Sequence, residues 1–85
     1  MIELPTIHSN GSSKKTMFDD AYQALQDLQT AIASFKKTAP NKRDYYVKEK
    51  PEMSFSLATS QFMERLKALE KVEADLNTLA EHLYG

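Results

Sequence analysis

Two long stretches in which apolar residues recur every three or four positions are the feature that most constrains the fold of this 85-residue chain. Such spacing is typical of amphipathic helices, and it predicts one helix over residues 16–38 and a second over residues 52–84. The apolar positions are Phe18, Ala21, Tyr22, Leu25, Leu28, Ile32 and Phe35 in the first stretch, and Phe55, Ala58, Phe62, Leu66, Leu69, Val72, Leu76, Leu79, Ala80 and Leu83 in the second. We therefore predict an all-α fold.

The ends of both predicted helices carry recognisable signals. Thr16 followed by Asp19 has the spacing of a capping box, and Pro51 is well suited to a first helical position because its missing N–H group costs nothing there. Pro40 stops the first helix, and Gly85 is the expected end of the second. Lys14 and Lys15 fit poorly at the positive end of a helix dipole, so we expect either that the helix begins after them, at Thr16, or that an anion sits there.

The segment between the helices, residues 39–51, is too long for the tight turn of a DNA-reading helix-turn-helix. Helices joined by such a loop usually fold back on each other. We predict one small domain over residues 1–85, an antiparallel helical hairpin preceded by an extended N-terminal segment, residues 1–15.

The two helices have unequal lengths, about 33 Å and about 48 Å at 1.5 Å per residue. We expect the C-terminal turns of the second helix, with Leu76, Leu79 and Leu83, to be left unmatched. They would then be covered by the N-terminal Ile2–Ile7 segment or by another chain. Because a two-helix hairpin has little interior, we predict a homo-oligomer that forms a helical bundle.

The overall charge excludes some partners. With 11 basic and 12 acidic residues, the net charge is −1, so no global field attracts a long nucleic acid or an anionic membrane. The chain has no cysteine, its first residues lack the basic and apolar regions of a signal peptide, and no stretch is apolar enough to span a membrane. We expect a cytoplasmic protein.

Basic residues nevertheless concentrate around the predicted loop, with Lys36, Lys37, Lys42, Arg43, Lys48 and Lys50 against Asp44 and Glu49. Tyr45 and Tyr46 stand beside Arg43, and an aromatic ring next to a guanidinium can stack a base and hold its phosphate. A structural interpretation is also open, in which the tyrosines cap the end of the bundle and the lysines are solvated.

The stretch HSNGSSKK, residues 8–15, is a second candidate site. Asn10–Gly11 favours a turn with positive φ, and a polar loop that leads into a helix N-terminus can hold a phosphate through Ser12, Lys14 and backbone N–H groups. His8 could hydrogen-bond in the same pocket. The simpler alternative is a polar loop without a ligand.

Catalysis and metal binding have little support. The chain has two histidines, His8 and His82, and His82 has no second ligand at helical spacing. A serine nucleophile would need a base that the sequence does not identify. We predict no enzymatic activity, no metal and no cofactor.

Three short stretches, PTIHSNGS, NKRDYY and LAEHLYG, resemble those of a group of small helical phage and prophage proteins. The size and helical build are also similar in architecture to the anti-CBASS sponge proteins of phages, which bind cyclic nucleotide signals and withhold them from host defence. This resemblance implies an anti-defence protein of the host cytoplasm that sequesters a nucleotide without catalysis. The pocket would lie between subunits, where one chain's His8, Asn10, Gly11, Ser12 and Lys14 meet the next chain's Arg43, Tyr45 and Tyr46.

A different function class is also open. An amphipathic helical pair can dock onto a protein, here a host defence enzyme or a nucleic-acid enzyme that it inhibits. In that case the carboxylates or apolar residues of the second helix, rather than Arg43, carry the binding.

Overall fold

The computed structural model describes residues 2–84, which form two long helices joined by a loop with a short 3₁₀ helix. Helix α1 covers Lys14–Lys36, the 3₁₀ helix covers Lys42–Tyr45 and helix α2 covers Pro51–Leu83. No strand occurs in the described residues, and α1 packs along α2. The predicted all-α helical hairpin is confirmed. Within residues 2–84, neither helix has an apolar run long enough to cross a lipid bilayer.

Helix α1 begins two residues earlier than predicted, because its N-terminal cap is Ser13 and not Thr16, and it also ends two residues earlier, at Lys36. The Ser13 Oγ atom accepts a hydrogen bond from the Thr16 N–H at 3.1 Å, and its hydroxyl also donates to Thr16 Oγ1 at 2.8 Å. A serine that accepts from the backbone three residues on is a standard helix cap. At the other end the Lys37 N–H turns back to the Ser34 carbonyl at 3.2 Å.

Replacing Ser13 by alanine is expected to lower the free energy of unfolding by about 1 kcal/mol, because a helical N–H group loses its acceptor. Thermal denaturation followed by circular dichroism measures this change, and Ser12→Ala, one residue outside the cap, serves as the matched control. If Thr16→Ala destabilised the protein while Ser13→Ala did not, the helix would begin at the position that the sequence pattern predicts.

The two lysines lie in the first turn of α1, so the expectation that the helix begins after them is wrong. Lys15 Nζ lies 2.7 Å from Asp19 Oδ2, one turn along the helix, and this hydrogen bond and the charge of Asp19 raise the pKa of Lys15. The chain itself thus supplies an anion that offsets the charge of Lys15. An external anion at this end stays a prediction.

Helix α2 differs from the prediction by one residue at each end. Pro51 is its first residue, with its ring at the position where a missing N–H group is harmless. The helix ends at Leu83, with Tyr84 as the C-terminal cap residue. The expectation that Gly85 terminates the helix lies outside the described residues.

The interior between the helices is narrow. Six apolar residues are buried among those described: Ala21, Leu25, Ile32, Leu66, Ala80 and Leu83. Leu83 is the least exposed, at 2 %, and packs with Ala21 and Ala80 in one cluster that Met17, Phe18 and Leu79 border. Small residues at this level let the helices approach closely, so a leucine can fill the remaining space.

The unmatched part of α2 is its N-terminal end, which corrects the prediction for Leu76, Leu79 and Leu83. Aromatic contacts set the register: the Phe18 and Tyr84 ring centroids are 5.7 Å apart, and those of Phe35 and Phe62 are 4.9 Å apart. Helix α1 ends at Lys36, so it covers α2 from Phe62 onward and leaves residues 51–61 beyond its end. That overhang is about 16 Å long.

The N-terminal segment lies against the C-terminal end of α2. His82 Nε2 lies 2.9 Å from the carbonyl oxygen of Pro5, and since a carbonyl only accepts, Nε2 carries the proton. Ile2 is half-buried, whereas Leu4 and Ile7 are exposed. The segment therefore lies against the hairpin without burying all of its apolar residues.

Candidate functional site

The basic loop is ordered by Asn41. Its side-chain Oδ1 accepts from the Arg43 N–H at 3.0 Å, and its carbonyl accepts from the Asp44 N–H at 2.9 Å. An asparagine that accepts from the residue two positions on starts a turn without strain. The resulting 3₁₀ helix fixes the backbone of Arg43 and carries the chain toward the first turns of α2.

The two tyrosines of the loop have different surroundings. Tyr45 is half-buried, and its ring meets that of Phe55 edge to face at 6.0 Å, so it joins the 3₁₀ helix to α2. Tyr46 is 75 % exposed. The structural interpretation therefore holds for Tyr45, whereas Tyr46 presents an aromatic face that a ligand can reach.

Tyr46 lines an open groove with Lys42, Arg43, Pro51 and Glu52, and the cavity has a volume of about 460 Å³. This volume falls within the usual range of about 300–1,000 Å³ for small-molecule sites. Two cationic side chains face one carboxylate, so the groove has a net charge of +1. The first turn of α2 adds the positive end of a helix dipole.

The first backbone N–H groups of α2 also lack a side-chain cap. Lys50 precedes the helix, and its side chain makes no capping hydrogen bond. The N–H groups of Glu52 and Met53 have no intrahelical acceptor at this end of a helix. Together with Arg43 and Lys42, they make the groove suited to an anionic ligand that carries a flat ring.

The predicted N-terminal site has the expected turn but a different glycine geometry. The Gly11 N–H donates to the His8 carbonyl at 3.2 Å, which closes the turn around Asn10. The φ angle of Gly11 lies outside the left-handed region, so the predicted positive φ is wrong for this residue. Glycine fits instead because the His8 ring lies against it, and an added Cβ would come within 2.8 Å of His8 Nε2.

Lys14 lines a second, shallower cavity of about 380 Å³ at this end of the hairpin, with Lys15, Phe18, Leu83 and Tyr84. Asn10 and Ser12 are exposed in the segment that leads to it. Since Lys15 is held by Asp19, Lys14 is the cation with more freedom to meet an anion. The Tyr84 ring, 76 % exposed, stands beside it.

The two candidate regions lie at opposite ends of α1. The helix has 23 residues, so about 34 Å separates Lys14 from the end that leads into the 3₁₀ helix. One chain brings Arg43 and Tyr46 together, and it brings His8 and Gly11 together, but it does not bring these two pairs into one site. A pocket shared by both pairs would need a second chain, as the predicted inter-subunit pocket does.

Several lining residues are absent from the predicted sites. The sequence pattern places Lys42, Pro51 and Glu52 in the loop or at the helix end, but it does not indicate that they form the walls of one groove. Phe18 and Tyr84 belong to the helical stretches in that pattern and carry no predicted role in a site. One feature of the sequence does indicate the groove: the predicted helix start at Pro51 follows the Arg43–Tyr46 segment by only five residues.

No group of three or more His, Asp or Glu side chains that could hold a metal occurs in residues 2–84. Comparison of the chain with protein-family models, with curated proteins and with solved structures finds no match.

Proposed function

We propose that this chain is a phage-type anti-defence protein that binds and sequesters a nucleotide signalling molecule, cyclic or linear, without transforming it. The observation that carries the proposal is the groove in which exposed Tyr46 lies beside Arg43 and Lys42 at the uncapped start of α2. A base can stack on the tyrosine, while a phosphate meets the guanidinium and the helix N–H groups. The phage setting comes from the resemblance of the three short sequence stretches.

A second chain would complete the site. Lys14 and the turn at His8–Ser12 lie too far from Arg43 within one chain, so a neighbouring copy supplies them in this proposal. Both regions are basic and repel each other when empty. An anionic ligand between them removes that repulsion, so ligand binding and the approach of the two chains should favour each other.

Calorimetric titration of the purified protein with a panel of cyclic mononucleotides, dinucleotides and trinucleotides tests the proposal. Replacing Arg43 by alanine should weaken binding about tenfold or more, because a charge-assisted hydrogen bond contributes about 1.5–3 kcal/mol. Tyr46→Ala should weaken it by a similar factor through lost stacking, which contributes about 1–3 kcal/mol per base. Lys37→Ala, an exposed lysine outside the groove, is the matched control and should bind normally.

Two results would count against this function. No heat with any nucleotide of the panel contradicts nucleotide sequestration itself. Normal binding by a Lys14→Ala variant, alongside weak binding by Arg43→Ala, contradicts only the contribution of the second chain and leaves the groove as a site within one chain.

A second function has one observation in its favour. The rings of Phe18 and Tyr22 stack at 5.7 Å, Tyr84 packs on Phe18, and both tyrosines are substantially exposed, at 47 % and 76 %. Exposed aromatic clusters are the usual anchors of protein interfaces, so this end could dock on a host defence or nucleic-acid enzyme that the chain inhibits. In a phage-protection assay, Tyr84→Ala should then abolish activity while Arg43→Ala retains it, which is the reverse of the result expected for nucleotide sequestration.

A further inference from the structure

We propose that the outward face of the α2 overhang binds the same face of a second copy of this chain, with the two helices antiparallel. This surface, the outer stripe, consists of the exposed α2 residues Met53, Leu57, Ser60, Gln61 and Glu64, which run from the overhang into the next turn, together with the cap residue Lys50. The inference does not rest on nucleotide binding, because it concerns a surface on the side of α2 away from the hairpin interior.

The α2 members of the outer stripe form one helical face. Leu57, Ser60, Gln61 and Glu64 stand four, seven, eight and eleven positions from Met53, so these side chains project on one side of the helix. Lys50 is the cap residue directly before the helix, and all six residues are exposed. The opposite face of the same turns carries half-buried Phe55, Ala58 and Phe62. The Phe55 ring contacts the loop through Tyr45, and the Phe62 ring contacts α1 through Phe35. Both contacts lie on the side of α2 opposite the outer stripe.

Apolar side chains occupy the N-terminal half of the outer stripe. Met53 is 64 % exposed and Leu57 is 58 % exposed. They lie on the overhang, beyond the end of α1. Only six of the described residues are buried, so the hairpin has a small core of its own. Burying these two side chains from each copy removes apolar surface that the hairpin cannot cover by itself.

The charges at the ends of the outer stripe select the partner and its direction. Lys50 lies at one end and Glu64 at the other, about 21 Å apart along the helix. Antiparallel pairing of two copies places Lys50 near Glu64 of the partner subunit, twice in each dimer, with Met53 and Leu57 near the middle. Parallel pairing would instead oppose like charges. A surface that complements itself after a half-turn is the requirement for a twofold dimer.

The size of the outer stripe sets the expected affinity of the dimer. A contact about 21 Å long along one helix lies at the small end of specific protein interfaces, so a dissociation constant in the micromolar range is expected. Sedimentation velocity over a micromolar concentration series should show a monomer–dimer equilibrium for the wild-type chain.

Charge exchange tests the interface with little risk to folding, because both residues are exposed. Lys50→Glu and Glu64→Lys should each raise the dissociation constant about tenfold, since each variant replaces two attractive contacts by repulsive ones. A mixture of the two variants should dimerise again, because the natural carboxylate of one chain then faces the natural ammonium group of the other, and the two introduced charges also oppose each other. The double variant should dimerise as the wild-type chain does.

A chemical cross-link provides an independent readout. The natural chain has no cysteine, so Leu57→Cys introduces one thiol near the twofold axis. A short bis-maleimide should link two such chains efficiently, whereas Gln23→Cys, an exposed position on α1, should not react in this way. A wild-type chain that stays monomeric throughout the micromolar range would overturn the proposal. So would an oligomer that survives both single charge reversals, with no preference for the mixed pair.

Discussion

Replacing Leu83 by alanine should lower the free energy of unfolding by about 2–4 kcal/mol, the range expected when a buried leucine leaves a cavity that its neighbours fill only in part. Leu83 is 2 % exposed and packs with Ala21 and Ala80, whose small side chains cannot extend into the vacated space. A domain of this size has only a few kcal/mol of stability in total. Chemical denaturation followed by circular dichroism should therefore show a markedly lower midpoint.

Val47→Ala is the matched control for that measurement. Val47 is 96 % exposed, so the loss of its two methyl groups should change the free energy of unfolding by less than about 0.5 kcal/mol. If Leu83→Ala were as mild as the control, the C-terminal end of α2 would not be the covered end, and the register of the hairpin would have to shift.

Phe62→Ala should also lower the free energy of unfolding, by about 2–3 kcal/mol, somewhat below the range for a fully buried phenylalanine because the ring is half-buried. Its ring lies parallel to that of Phe35, at 4.9 Å between centroids and 7° between planes. This pair closes the hairpin at the last turn of α1, so its loss should free both the end of α1 and the start of the loop.

A double-mutant cycle of Phe62→Ala and Phe35→Ala measures the contact between the two rings. A coupling of about 0.5–1.5 kcal/mol is expected for a stacked aromatic pair. Met63→Ala, next to Phe62 and 44 % exposed, should show no coupling with Phe35→Ala. Strict additivity of the two phenylalanine changes would mean that the rings do not meet in solution.

The two helices and the hairpin could be predicted from the sequence. Each helix buries one face, and the spacing of its apolar residues indicates which face that is. Buried Leu25, Ile32 and Leu66 were all among the predicted apolar positions. The start of α1 is predicted two residues too late, because Asp19 follows Thr16 at capping-box spacing and favours Thr16 as the cap. In the structure Ser13 caps the helix instead, through its hydrogen bond with the Thr16 N–H group, and the pairing of Lys15 with Asp19 lies within the helix.

The register of the hairpin is not contained in the periodicity of either helix. Each apolar seam is continuous, so sliding one helix by a turn or two still matches apolar positions. The loop decides the register: Asn41 starts a 3₁₀ helix and Tyr45 packs on Phe55, so the loop occupies the first turns of α2 before α1 can reach them. For this reason the helix lengths alone predict the uncovered turns at the wrong end of α2.

The candidate site was predicted in part. Arg43 and Tyr46 do line one groove, because the short 3₁₀ helix keeps residues three apart on the same side. Tyr45 packs on Phe55 and has a structural role, whereas Tyr46 is exposed. The sequence shows only two adjacent tyrosines, so it does not indicate which of the two packs inward. The contribution of Lys14 and the His8–Ser12 turn stays a prediction, since it depends on a contact between chains.

The most direct test of the account is the level at which α1 pairs with α2. Spin labels at Gln23 and Thr78 lie at nearly the same level in the observed register, whereas Gln23 and Glu64 differ by about 21 Å along the helix axis. Pulsed electron–electron distance measurements, with each doubly labelled chain diluted in unlabelled protein, should give the shorter distance for the Gln23–Thr78 pair. A shorter distance for Gln23–Glu64 would place α1 against the N-terminal half of α2. That result would contradict the overhang, the open outer stripe and the groove at its base.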